Sequence, residues 1–167
     1  MTPGDASKKI PAGIRAALNS ARRAVLESAH FGAELIAANA PVDRGSLKSS
    51  VHVEKSAVGG AGTDVRIRID APHAAVMEMG SRPHTPPLGP LVEWVKRYRA
   101  SFDIEGRGVV RDASGRFQAS PAVVAVARAI QRKIARDGTK PTYFVQRQLP
   151  AIREHLHAAL TAALKGR

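Results

Sequence analysis

The sequence predicts an α+β fold: a small antiparallel β-sheet packed against a long N-terminal helix and C-terminal helices. Three observations predict it. Apolar residues recur every three to four positions from Ala12 to about Ala38. Two stretches, around Val51 and Val65, alternate strictly between apolar and polar side chains. The last third of the chain returns to helical spacing. With 167 residues the chain fits one domain, long enough to bury a modest core. Aromatic residues make up 4% of it, so that core is built mainly from Ala, Val, Leu and Ile.

Residues 1–10 read as a flexible polar arm without the apolar stretch of a secretory leader. Pro11 suits the first turn of a helix, where its missing N–H costs nothing. Along that helix Ile14, Leu18, Ala21, Val25, Ser28, Gly32 and Leu35 form one stripe, with most charged residues off it. The small residues Ser28, Ala29 and Gly32 let another backbone approach, either a partner subunit or a second helix of the same chain. Asn39 is placed to end the helix in a left-handed conformation, and Pro41 biases Ala40 away from helix.

The next two elements are strands. Val51 and Val53 alternate with His52 and Glu54, and Val65, Ile67 and Ile69 with Arg66, Arg68 and Asp70, giving one buried and one wet face. Gly59-Gly60-Ala61-Gly62 reads as the hairpin loop between them. Pro72 closes the second strand, residues 73–79 form a short helix, and Gly80 stops it. The four prolines between 81 and 90 make a stiff connector, and Pro90 starts an amphipathic helix over 91–98. Residues 101–119 are polar and glycine-rich. They read as a surface insertion in which 109–111 and 116–118 pair as a hairpin. Ser120 and Pro121 are an N-cap and first-turn pair for a helix with Val123, Ala127, Ile130 and Ile134 on one face, ended by Asp137-Gly138. A final helix begins near Phe144 or Pro150, with Pro150 starting or kinking it, and runs to Leu164 with Leu149, Ile152, Leu156, Leu160 and Ala163 as its apolar face.

Composition narrows the function classes. The chain has no cysteine, which rules out disulfides and thiolate metal sites. No run approaches the roughly 18 apolar residues that span a bilayer, so a soluble protein made in a cytoplasm, with no membrane partner, is expected. The net charge is +12, and residues 121–167 hold nine basic and two acidic side chains. Such asymmetry points to a polyanionic neighbour, nucleic acid or an acidic protein surface, or else to a solvated basic face.

The catalytic inventory is thin. His73, Glu78 and His84 lie close in sequence, but their spacing matches no helical zinc motif, and no metal or cofactor is expected. His155 and His157 point to different sides of a helix and read as surface histidines. No serine sits in a nucleophile elbow, and the glycine run at 59–62 lacks the Lys-Ser/Thr ending of a P-loop. Asp43 reads as capping the turn that contains Gly45, and Glu78 as meeting an arginine or a backbone amide. No enzyme is expected. The best polar signal is the row Arg128, Arg132 and Arg136, about 6 Å apart per turn on one helix face. Such a row tracks phosphates, binds an acidic neighbour, or is simply an exposed face. It carries no pattern for reading bases.

Three segments resemble one known family. Pro41-Val42-Asp43-Arg44-Gly45-Ser46-Leu47, followed by Ser50-Val51, resembles the entry to the β-region of the tail-completion, or neck, proteins of long-tailed bacteriophages. Residues 74–84, with Glu78 and Gly80, resemble that family's central signature, and residues 130–141 with Phe144 its distal one. Arg44, His73 and Met79 stand where the family commonly has threonine, tyrosine and an aromatic residue. The resemblance implies an α+β subunit of the virion, made in the host cytoplasm. It implies a homo-oligomeric ring at the head–tail junction, next to connector and tail-tube proteins, with non-specific contact to the genome in the channel. It also implies structural roles for Pro41, Asp43, Gly45, Leu47, Ser50, Glu78 and Gly80, and makes Arg128, Arg132 and Arg136 candidates to face the DNA. A tail terminator or head-closure protein is the nearest alternative, and a free-standing basic DNA-binding protein the alternative of another class.

Overall fold

The computed structural model describes residues 11–56, 64–102, 104, 108–111, 113–114 and 117–165. The expected arm at 1–10 and glycine loop at 59–62 lie outside the described residues. The fold is α+β, with the long helix, small antiparallel sheet and C-terminal helices that the sequence predicts. It comprises two compact units: one of residues 1–79 and 142–167, the other of residues 80–141.

The first unit begins with α1 (Ala12–Asn39), a one-turn α2 (Ser46–Ser49) and the hairpin β1 (Val51–Ser56) and β2 (Asp64–Ile69). It continues through α3 (Ala74–Met79) and, after the second unit, a 3₁₀ turn (Gln146–Gln148) and α6 (Leu149–Lys165). Helix α1 ends where expected, through the second of the two expected causes and not the first. Asn39 is still helical and its side chain donates to the Leu35 carbonyl at 2.8 Å. It is Ala40 that leaves the helix, extended at φ −67°, ψ 135°, as the following Pro41 demands. The strands pair antiparallel with Val51 opposite Ile69 and Val53 opposite Ile67. Their apolar side chains turn toward the helices, while Arg66 and Arg68 stay exposed. Arg68 meets Glu54 at 3.3 Å and Asp70 at 3.5 Å on the wet face.

Helix α1 packs along α6 and across both strands. Of the two explanations for its small residues, the intramolecular one holds for Gly32. A Cβ there would lie 2.9 Å from Ile67 Cδ1 and 3.1 Å from Ile152 Cδ1. The core of this unit is Ile36, Ala40, Leu47, Ala71 and Phe144, with Ile67, Ile69, Met77 and Ile152 packed around it.

The second unit holds α4 (Leu88–Arg97), a 3₁₀ turn (Arg99–Phe102), the short hairpin β3 (Val109–Arg111) and β4 (Phe117–Ala119), and α5 (Pro121–Asp137). Helix α4 starts three residues before the expected position, so Pro90 sits inside its first turn rather than ahead of it. That is permitted because the first turn's N–H groups have no intrahelical acceptor. Ser120 caps α5 by accepting from the Val123 amide at 3.4 Å. Val95, Val123 and Ala127 are fully buried where α4 packs on α5. Residues 101–119 contribute Phe102, Ile104 and Ala119 to the same core.

Candidate functional site

The first motif, residues 74–79 and Phe144 gather around the core of the first unit, whereas residues 80–84 and 130–141 belong to the second. Gly45 takes φ +80°, a left-handed value that makes the tight entry into α2 possible and favours glycine although the space around it is open. That turn drives Leu47 inward, to 3% exposure, against Ala71 and Phe144. Ser50 closes α2 with its hydroxyl on the Leu47 carbonyl at 2.8 Å, and its own carbonyl accepts the Asp70 amide at 3.2 Å. The end of the first motif is thereby tied to the end of β2. Pro41 is half-buried, and Asp43 is exposed at the bend before Gly45.

Glu78 is the polar centre of this unit. Its Oε2 accepts the Val145 amide and its Oε1 the Gln146 amide, both at 2.9 Å. Of the two partners expected for it, the backbone amide is correct. The traffic runs both ways. The Met77 carbonyl accepts the amide and hydroxyl of Thr142 at 3.0 and 2.6 Å, and the Glu78 carbonyl accepts the Tyr143 amide at 3.1 Å. Tyr143 holds φ +52° to make this turn. The C-terminus of α3 and the approach to α6 thus satisfy each other's unpaired backbone groups. The carboxylate supports the orphan N–H groups of the turn that leads into α6. Beside this knot, Ile69, Ala74, Ala75, Phe144 and Leu149 line a shallow apolar cavity of about 260 Å³. Elsewhere on α3, Val76 and Met79 are exposed, Met79 at 69%.

Gly80 belongs to the second unit and works there with Gly138. Both have positive φ, +76° and +72°. Ser81 and Thr139 form an antiparallel bridge, amide to carbonyl at 3.1 and 3.2 Å, with Thr139 Oγ1 donating to Ser81 Oγ at 3.0 Å. A Cβ on Gly80 would strike the Thr139 carbonyl oxygen, and one on Gly138 the Ser81 carbonyl oxygen. The sequence marked Gly80 and Gly138 as helix stops. Their second task, to let two backbones touch, depends on a pairing 58 residues apart.

The arginine row lies on α5 of the second unit, all three side chains exposed. Its third member differs from the first two. Arg136 Nε and Nη2 donate to both carboxylate oxygens of Asp137 at 2.8 and 2.9 Å. This hydrogen-bonded pair holds the Asp137 carboxyl below the usual aspartate range and raises the guanidinium further. Arg128 and Arg132 make no hydrogen bond or ion pair with any described residue. They border a groove that also includes Val110, Gln118, Val124 and Ala125.

One constellation escaped the sequence reading. Ser28 is 2% exposed, and its hydroxyl is hydrogen-bonded to His155 Nδ1 at 3.1 Å. The His155 ring stacks on Phe31 with centroids 4.1 Å apart and planes 10° from parallel. His155 is therefore a packing residue between α1 and α6, not a surface histidine. Serine at the buried stripe of α1 was the available signal, since a buried hydroxyl needs a partner. No described carboxylate is bonded to His155, so the pair lacks the third group that orients a catalytic base. Among the described residues no group of three His, Asp or Glu side chains is arranged to hold a metal ion. None of the described helices is long and apolar enough to cross a membrane.

Neither a protein-family model, nor a curated protein, nor a solved structure matches the chain.

Proposed function

We propose that the chain is a structural virion protein of the head–tail junction of a long-tailed bacteriophage, a tail-completion or neck subunit that forms a ring around the DNA channel. The observation that carries this reading is that residues of the first two signature segments share one core with Phe144, the outlying residue of the third. Leu47 comes from the first, Ala74 and Met77 from the second and Phe144 from the third. Segments that resemble one family in order along the chain also depend on one another in space. The polar residue they share, Glu78, is occupied by two backbone amides and so maintains shape. Val76, Met79 and Leu149 leave apolar surface outside that core, the kind a neighbouring subunit covers when a ring closes.

The test is localisation in the particle. Antibody or gold labelling of intact virions is expected to place the chain between head and tail, and loss of its gene to leave heads and tails unjoined. Normal tailed particles without the gene, or label elsewhere, would overturn the reading. Copurification with heads alone or tails alone separates it from a head-closure protein or a tail terminator.

A further inference from the structure

We propose that the groove between the β3–β4 hairpin and α5 holds an acidic, partly apolar peptide segment of a partner protein, with its carboxylates on Arg128 and Arg132. The groove encloses about 510 Å³, within the roughly 300–1,000 Å³ range of ligand-sized clefts. One wall is α5, carrying Val124, Ala125 and the two arginines; the other is the hairpin, carrying Val110 and Gln118. Val110 and Gln118 are cross-strand partners and share one face of the hairpin. Val110 is 40% exposed there.

Spacing and charge select the occupant. Arg128 and Arg132 stand one turn apart, about 6 Å along the helix axis. Side chains on one face of an extended chain recur every ~6.6 Å. A segment with carboxylates at alternate positions therefore meets both guanidiniums, each of which takes a carboxylate in a bidentate pair. The intervening side chains then turn to the opposite wall, where Val110 waits. A nucleic-acid backbone fits less well. It has no apolar side chains to lay on Val110 and Val124, and only two of the three arginines a phosphate track would use, Arg128 and Arg132, line the groove. The inference does not depend on a place in a virion, because the purified chain alone binds the peptide or refuses it.

The experiment is fluorescence anisotropy on the full chain with three labelled probes: a peptide alternating glutamate and valine, one alternating glutamate and serine, and a short DNA duplex. The glutamate–valine peptide is expected to bind more tightly than the glutamate–serine peptide. Its affinity should fall roughly tenfold or more in the double variant Arg128→Gln/Arg132→Gln. It should fall also in Val110→Asp and stay unchanged in Arg136→Gln. Each variant is first checked by circular dichroism, which is expected to match the parent's because Arg128, Arg132 and Arg136 are exposed on α5 and Val110 is 40% exposed on the hairpin. No binding of the glutamate–valine peptide, equal binding by the double arginine variant, or preference for the duplex would each overturn the proposal.

Discussion

Both oxygens of Glu78 are committed to amides 67 and 68 positions further along the chain. Glutamine in its place keeps one carbonyl oxygen, so one amide loses its acceptor and the other loses a charged one. Glu78→Gln is expected to lower unfolding stability by about 1–3 kcal/mol, measured as a shift in the urea midpoint with the slope unchanged. An unchanged midpoint would mean that water serves those amides equally well. From the sequence, a glutamate on an otherwise apolar short helix was recognisable as a group in need of a partner. Which partner depended on Tyr143 accepting a left-handed conformation, for which a tyrosine gives no local signal. Asn39 shows the converse. Its type favours a left-handed helix end, yet Pro41 already dictates where the helix stops, and Asn39 remains helical.

At the level of elements, α1 and α6 approach through Gly32, whose missing side chain leaves room for Ile67 and Ile152. Gly32→Leu forces side-chain bulk into that contact, against a modest gain in helix propensity. The expected result is a loss of about 1–3 kcal/mol or more, read as a lowered thermal midpoint. A midpoint at or above the parent's would show that α6 can move aside freely. Periodicity made most elements legible because each is half-buried: Val65, Ile67 and Ile69 inside with Arg66 and Arg68 outside is a strand whatever it packs on. Boundaries at proline were less legible. Pro90 forbids an internal helix hydrogen bond but not a place in the first turn, so its presence alone did not locate the start of α4. The groove on α5 was legible only in part. The arginine spacing was plain, while the hairpin wall and the Arg136–Asp137 pair needed the folded geometry.

For the whole molecule, the chain is long enough for one domain, yet composition does not reveal that residues 80–141 form a compact unit of their own between two parts of another. The bridge between Ser81 and Thr139 brings the ends of that unit to the separation of neighbouring antiparallel strands, about 5 Å. Replacing residues 82–138 with a two-residue Asn-Gly turn is therefore expected to leave the first unit folded. The shortened chain should keep a cooperative thermal transition and the helical circular dichroism of α1 and α6. A broad, non-cooperative transition would show that the first unit needs the second for its stability.

The discontinuity of the first unit also sets an order of events at the ribosome. Residues 80–141 are complete before Phe144 and α6 exist, so the interrupted segment can condense while its host is still unfinished. Until α6 emerges, the hairpin can cover α1 only in part, and the part of α1 that packs along α6 waits uncovered while residues 80–141 are made.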